Sequence, residues 1–246
     1  MKNVQNWLPT KFVYQNNKLR GSRDPKQVNI GSRIIVDVVA SFYDENLRLH
    51  AQGKLVDLGC GNVPLYNSYK EYVNEIYCVD WANSFHENQF LDLVQDLNEP
   101  LKIENTSFDT IILSDVLEHI RKPESLIKEM FRILQPNGKI ILNVPFFYWL
   151  HEEPFDYFRY TRHGLKAMFE DAGFELVYLE PHGGILEITG DMISKFFIVF
   201  SFGGKFLSGL TNKVFGFLMF FPLFRKITKA TSNKFPLCYG MVVRRK

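Results

Sequence analysis

Leu55-Val56-Asp57-Leu58-Gly59-Cys60-Gly61-Asn62-Val63-Pro64-Leu65-Tyr66 is the stretch that decides the fold. A short apolar run leads into Asp57, and Gly59 and Gly61 follow within four residues. Glycines at this spacing let the chain turn sharply and let its backbone approach a ligand closely. The residues after the turn can open a helix. A second apolar run, Ile76-Tyr77-Cys78-Val79, ends at Asp80, twenty-three residues after Asp57. An acid at the end of the second strand of a βαβ unit is placed to accept hydrogen bonds from ribose hydroxyls. Together the two segments predict a nucleoside-binding site.

The pattern is not the G-x-G-x-x-G of dinucleotide sites. It sets an acid on the strand before the turn, which suits a cationic ligand end and repels a diphosphate. A nicotinamide oxidoreductase is therefore disfavoured. The segment resembles motif I of class I S-adenosylmethionine-dependent methyltransferases, whose frequent third glycine would fall at Val63. The resemblance extends over roughly residues 50–182. It implies an α/β fold: a Rossmann-like, seven-stranded, mostly parallel sheet with helices on both faces and an antiparallel last strand. It also implies S-adenosyl-L-methionine as cofactor.

Periodicity agrees with this class. Apolar runs predict strands near 54–58, 75–79, 92–95, 108–114, 138–144 and 174–180, with the last strand within Phe235–Arg244. Ile30, Ile34, Ile35, Val38, Val39 and Phe42 recur at helical spacing, as do Leu126, Met130, Ile133 and Leu134 behind Pro123. Leu165, Met168, Phe169 and Ala172 make another helix face, stopped by Gly173. Residues 1–28 read as polar and irregular. The expected organisation is an N-terminal segment and capping helix (1–49), a cofactor-binding core (50–182), an apolar helical insertion (183–234) and the last core strand (235–246).

A chain of 246 residues is long enough to bury a full core. The cysteines, Cys60, Cys78 and Cys238, show no metal-ligand spacing and read as reduced intracellular thiols. The segment MKNVQNWLPTK lacks an apolar run, so no signal peptide is expected. The net charge of +2 hides an asymmetry: residues 192–246 carry seven Lys and three Arg without an acid, while all 27 acidic residues precede them. Such a tail suits an anionic surface.

Several positions carry chemistry. Under the resemblance, Asp57, Gly59 and Gly61 hold the methionine end of the cofactor, and Asp80 holds the ribose. Asp96, beside Leu97, accepts from the adenine amino group. Trp81, next to Asp80, is placed either to cover the adenine face or to pack in the core or rim. Ser114 and the loop Asp115-Val116-Leu117-Glu118-His119 follow the fourth strand, where family members approach the sulfonium and the acceptor. His119 is a candidate proton acceptor or a loop brace. Asp115-x-x-Glu118-His119 also resembles the metal patch of quinone-biosynthesis O-methyltransferases, but no metal ligand is assigned.

After the fifth strand comes His151-Glu152-Glu153-Pro154-Phe155-Asp156-Tyr157-Phe158-Arg159-Tyr160-Thr161. It resembles a stretch of bacterial methyltransferases associated with cell-surface polysaccharide or lipid-linked glycan synthesis. His151 is the first candidate for a general base, since a neutral imidazole can take a hydroxyl proton. Glu152 or Asp156 would orient it. Arg159 would bind an anionic substrate group or pair with Asp156.

Ten phenylalanines fall between Phe196 and Phe224, and Lys195, Lys205 and Lys213 interrupt the run. A membrane span needs about 20 apolar residues, so an interfacial anchor or shallow helical hairpin is expected, with a helical cap or dimer interface as the alternative. The expected function is methyl transfer, O-methylation first, to a small-molecule, glycan, lipid-linked or hydrophobic acceptor. The expected location is cytoplasmic, peripheral on the inner face of the membrane. Nucleic acid is an unlikely partner. The rival readings are a quinone-type small-molecule methyltransferase and a non-catalytic nucleoside-binding membrane protein.

Overall fold

Side chains alternate across a strand, so a sheet covered on both faces needs apolar residues at successive positions. Leu55-Val56, Ile111-Ile112, Ile140-Ile141 and Val242-Val243 satisfy this, and every one of them is buried. The computed structural model describes residues 1–83, 88–200 and 202–246. Its central strands are β3 (Lys54–Leu58), β4 (Glu75–Asp80), β5 (Leu93–Val94), β6 (Phe108–Ser114), β7 (Leu134–Pro145), β8 (Phe174–His182) and β9 (Cys238–Arg245). They form one seven-stranded sheet in the order β5-β4-β3-β6-β7-β9-β8. The pairs β3/β4, β3/β6, β4/β5 and β6/β7 are parallel. Only β9 runs against its neighbours. The strand order reverses between β3 and β6, and ligands bind such sheets outside the carboxyl ends at that switch point.

One face is covered by α1 (Arg33–His50), which buries Ile35, Val39, Phe42, Tyr43 and Leu47 against Leu55, Ile112, Ile141 and Val242. The other carries α3 (Pro123–Ile133) and α4 (Arg162–Asp171), whose Leu126, Met130, Ile133, Leu165 and Phe169 meet Val56, Ile111, Ile140 and Val243. Pro123 opens α3, and Thr161 caps α4 by accepting from the Gly164 N–H at 3.1 Å.

The structure corrects the sequence reading in four places. Residues 1–28 are not irregular throughout: β1 (Phe12–Gln15) and β2 (Lys18–Gly21) form an antiparallel hairpin. Its two-residue turn, Asn16-Asn17, has φ 51° and 59°, the left-handed pair that matches strand twist and that asparagine tolerates. The helix after Gly61 is a single turn, α2 (Tyr66–Tyr69). No α-helix joins β4, β5 and β6 among the described residues. Finally, β7 starts at Leu134, directly after α3 and four residues before the expected 138, and carries Asn137-Gly138 as an irregularity, with Asn137 at φ 66° and a register shift against β6.

The expected insertion is three helices: α5 (Ile185–Phe200), α6 (Gly204–Leu218) and α7 (Pro222–Thr231). Their amphipathicity is inverted. α5 and α6 meet through small and polar groups: the Ser194 and Ser208 hydroxyls lie 2.5 Å apart, and Asn212 Nδ2 donates to Ser194 Oγ at 3.0 Å. Phe196, Phe200, Phe206, Phe217 and Phe220 point outward and are more than half exposed. Among the described residues no single helix is long and apolar enough to cross a membrane; α6 and α7 pass that test only as a pair bent by 99°.

Candidate active site

The strand-to-turn segment builds the floor of the site. Gly59 has φ 70°, and a Cβ there would lie 2.5 Å from Val116 Cγ2, so the turn and the following loop close on each other only without a side chain. Gly61, at φ 52°, donates its N–H to Asp80 Oδ2 at 2.8 Å. Val63, where the resembled family has glycine, keeps the glycine-like backbone at φ 51° and is fully buried. A β-branched residue there is strained, and Trp7 Nε1 donates to its carbonyl at 3.0 Å.

A cavity of about 270 Å³ opens above this floor. Asp57, Gly59, Gly61, Asp80, Trp81, Asp96, Leu97, Ser114 and His119 all line it. Asp57 is the penultimate residue of β3 and is buried in the sheet. Burial pushes its carboxyl up to about 7; the Tyr69 hydroxyl, donating at 3.1 Å, opposes the shift, and the Asp80 charge adds to it. Asp80 also accepts from the Trp81 N–H at 2.8 Å. Trp81 stands edge-on to Phe155 at 5.0 Å between centroids. Asp96 is braced by Asn98, whose N–H and Nδ2 donate to Oδ1 at 2.8 and 2.9 Å.

Two further members of this wall were not legible in the sequence. Thr10 and Lys11, leading into the N-terminal hairpin, line the cavity, and Lys11 Nζ pairs with Asp115 at 2.7 Å. Burial lowers the Lys11 pKa, but the Asp115 carboxylate outweighs it, so the ammonium is held charged. Asp115 sits at φ 53° and also accepts from Asn143 Nδ2 at 2.5 Å; Asn143 Oδ1 in turn accepts from the buried Tyr43 hydroxyl at 2.7 Å. The Asn-Asn turn signals the hairpin, but nothing local signals that Lys11 reaches Asp115.

The loop after β7 folds back onto the loop after β6. Tyr157 N–H donates to the Glu118 carbonyl at 2.9 Å, and the Tyr160 hydroxyl donates to that of Leu117 at 2.9 Å. This brings His119 and His151 together, edge to face, with centroids 4.7 Å apart. His119 Nδ1 lies 2.8 Å from the Phe155 carbonyl, which only accepts, so Nδ1 carries the proton. His151 Nδ1 lies 3.2 Å from Asp156 Oδ2. Burial would raise the Asp156 carboxyl, but the Arg159 guanidinium and the His151 N–H hold it down to about 2. Asp156 thus fixes the His151 tautomer, and both Nε2 atoms keep their lone pairs. Burial lowers the His151 pKa, and neighbouring His119 adds to this, so the imidazole is neutral near pH 7.

Both Nε2 atoms face Glu118, at 3.7 Å for His119 and 3.8 Å for His151. Glu118 is fully buried, and neither carboxylate oxygen has a hydrogen-bond partner. Burial, with Asp115 nearby, raises its pKa well above the ordinary range. One ligand atom each of Glu118, His119 and His151 fall within 4.8 Å of one another.

Arg159 takes the pairing alternative rather than the anion-binding one. Its Nη atoms clamp Asp156 at 2.5 and 2.7 Å, and its remaining bonds go to the carbonyls of Tyr148, Trp149 and Phe158. All three guanidinium nitrogens are engaged within the loop. His151 lies outside the first cavity and lines an adjoining chamber with Lys11, Gln27, Asp115 and Glu152.

Comparison with known proteins gives a consistent picture. A family described as "Methyltransferase domain" matches residues 33–179, more than half of the chain. The ubiquinone biosynthesis O-methyltransferase of Xanthomonas oryzae pv. oryzae is 27% identical over 103 residues, 38% of this chain and 43% of the relative. The match thus spans less than half the length of that relative. Among solved structures, a SAM-dependent methyltransferase from Archaeoglobus fulgidus superposes with TM-score 0.54 and 19% identity, over 82% of this chain and 92% of that one. The [4+2]-cyclase SpnF superposes with TM-score 0.56 and 14% identity, over 97% and 88%. These likenesses show the fold alone, and the cyclase illustrates that one fold serves different chemistries.

Proposed function

The chain belongs to the S-adenosylmethionine-dependent methyltransferases through the domain family matched over residues 33–179, and we propose that it works at an anionic membrane surface as an O-methyltransferase of a glycan, lipid-linked or other hydrophobic acceptor. The observation that carries this reading is the convergence of Asp57, Gly59, Gly61, Asp80, Asp96 and His119 on one cavity at the sheet's switch point. The residues fit the cofactor. Gly59 lets the Val116 loop close against the turn while lining the cavity, Asp80 offers a buried acceptor at the strand end, and Asp57 is a desolvated carboxyl that a cation would ionise.

S-adenosylmethionine supplies an electrophilic methyl on its sulfonium. Asp57 would hold the cofactor's ammonium, Asp80 its ribose hydroxyls and Asp96 its adenine amine, and Trp81 would cover the base. His151 Nε2 accepts the acceptor's hydroxyl proton, and Asp156 with Arg159 holds the ring in register. Displacement at a methyl needs mainly alignment of donor and nucleophile. Residues 50–182 and 235–246 form the cofactor-binding core, 1–49 its cap, and 183–234 the membrane-facing insertion. The test is incubation with radiolabelled cofactor and separated membrane and aqueous extracts. Label in an organic-soluble product supports the reading; label only in an aqueous small molecule overturns the acceptor class.

A pH dependence follows from Asp57. With its carboxyl at about 7 in the free protein, it is increasingly protonated as pH falls. The cofactor's ammonium, with an α-amino pKa near 7.7–8, stays charged in that range and favours the carboxylate. Binding therefore expels a proton below pH 7. Affinity is expected to be flat just above pH 7 and to weaken up to about tenfold per unit below it. Calorimetry across pH 5.5–8 checks this, and Asp57→Asn should flatten the profile.

The inverted helices support the membrane surface. A water-facing hairpin would bury its phenylalanines; here Ser194, Ser208 and Asn212 occupy the helix contact instead. The acid-free basic tail suits the anionic cytoplasmic leaflet, where each Lys or Arg adds about 1 kcal/mol. The protein is expected to co-sediment with anionic liposomes, weakened but not abolished by high salt, because salt screens charge and leaves rings inserted. Phe206→Asp with Phe217→Asp and Phe220→Asp should release it.

One observation favours a second reading, a quinone-type small-molecule methyltransferase using a divalent ion. Glu118 has no partner on either oxygen, and it faces two imidazole nitrogens whose other nitrogens are fixed by Phe155 and Asp156. Carboxylate with imidazole is a divalent-metal donor set, oriented by such outer hydrogen bonds. Glu118, His119 and His151 would hold the ion. Under this reading chelation abolishes turnover and a divalent salt restores it. Under the first, chelation leaves turnover unchanged.

A further inference from the structure

Three cavities are linked in series by shared lining residues, and the third reaches the insertion. The cofactor cavity shares Lys11, Gln27, Asp115 and Glu152 with the chamber of about 220 Å³ that holds His151. That chamber sets Lys11, Gln27, Asn29, Ser32 and Asp115 opposite the apolar side chains of Val28, Ile35, Val36 and Val39. It shares Tyr148 with a third cleft of about 430 Å³, which opens along α5. Apolar groups dominate this cleft, including Phe147, Trp149, Met192, Phe196 and Val199.

Tyr148 is the partition. Its hydroxyl lies 3.0 Å from Ser32 Oγ, and its ring stands edge-on to His151 at 5.1 Å. The ammonium of Lys195, a lining residue of the cleft, lies 3.9 Å from the same ring's centroid. Lys195 pairs with Asp191, and both are at least nine-tenths buried. Asp191 Oδ1 has no hydrogen-bond partner. With the Tyr148 hydroxyl and the Trp149 indole N–H, this pair supplies the polar side-chain groups of the cleft.

We propose that the cleft takes one hydrocarbon chain of a membrane amphiphile, and that the chamber takes its hydroxyl-bearing head against Lys11, Asp115 and His151. The inference rests on the methyltransferase reading above and names the substrate class for that site. A peptide is a poor occupant, because each residue brings a donor and an acceptor that this lining cannot satisfy. A hydrocarbon chain brings neither. The unpartnered Asp191 oxygen and the Lys195 ammonium stand where the polar linkage between head and chain would pass. The cleft shares Phe196 and Phe200 with the exposed phenylalanine face, on a tail with ten basic and no acidic residues. A chain drawn from an anionic bilayer would therefore enter without crossing water.

The test uses the full chain with vesicles of phosphatidylglycerol doped with a phosphatidylglycerol bearing a photoreactive diazirine in one acyl chain. Cross-linked peptides are mapped by mass spectrometry, with and without cofactor. Adducts are expected within 146–149 and 192–200. Met192→Trp, which fills the cleft at an exposed position, should reduce them at least fivefold while co-sedimentation is unchanged. Adducts confined to the outer faces of α6 and α7 would mean anchoring alone and would overturn the proposal. So would protein–protein cross-links through the cleft, which would mark it as a contact between copies. Cross-linking needs neither cofactor nor turnover. Adducts in the cleft without methyl transfer would thus sink the enzyme reading alone, and methyl transfer to a soluble product without adducts would sink the amphiphile alone.

Discussion

Replacing His151 with alanine is expected to lower kcat about 10²-fold or more while cofactor affinity stays nearly constant. General-base groups contribute about 10²–10⁴-fold where the proton leaves in the transition state. His151 meets the geometric condition: Nδ1 is tied to Asp156, and Nε2 opens toward the junction with His119 and Glu118. It lines the chamber beside the cofactor cavity but not the cofactor cavity itself, so binding and turnover should separate. Asp156→Asn should fall between wild type and His151→Ala, because the ring remains but its tautomer is no longer fixed by a carboxylate held ionised by Arg159. The readout is single-turnover methyl transfer alongside calorimetric cofactor affinity. A near-normal kcat in His151→Ala would return the residue to a structural role and move the base assignment to His119.

The second large effect belongs to Asp80. Asp80→Ala is expected to weaken S-adenosylmethionine binding by roughly 1–3 kcal/mol, or about 5- to 150-fold in Kd. Two losses combine. The ribose hydroxyls lose a charged acceptor, and the Gly61 and Trp81 N–H groups lose the carboxylate that holds them at 2.8 Å each. Asp80→Asn retains one acceptor oxygen and should lose less. Asp96→Ala, at a half-exposed position braced by Asn98, should lose less than Asp80→Ala. Equal affinities of wild type and Asp80→Ala, measured at matched thermal stability, would remove the ribose assignment.

The metal reading shares residues with the base reading. If chelation abolishes turnover, the kcat loss of His151→Ala reports a lost ligand, and Glu118→Gln should then match it. If chelation has no effect, Glu118 is a buried acid whose pKa burial raises, and Glu118→Gln should leave turnover close to wild type.

The chain's local pattern was enough for the fold. Paired apolar residues at successive positions predict strands buried on both faces, and β3, β4, β6, β8 and β9 lie within one to three residues of their expected bounds. Asp57, Gly59, Gly61 and Asp80 are legible because a strand-turn unit fixes the spacing of its own acids and glycines. Periodicity failed where it had to compete with packing. β7 runs straight out of α3 because Leu134 pairs with Phe108 before the Asn137-Gly138 irregularity. The N-terminal hairpin is short enough for its Asn-Asn turn to pass as loop. The insertion's helices could be read, but not which face they bury. Ser194, Ser208 and Asn212 at the helix contact, with phenylalanines outside, is the reverse of the usual hydrophobic pattern. The junction of His119, His151 and Glu118, the reach of Lys11 to Asp115 and the saturation of Arg159 by its own loop were decided by tertiary structure alone. Each depends on which loop folds onto which, and on where a side chain's hydrogen bonds end. Residue type and spacing carry the local geometry of a strand or a turn; contacts between distant segments are set only when the packed core fixes the loops above it.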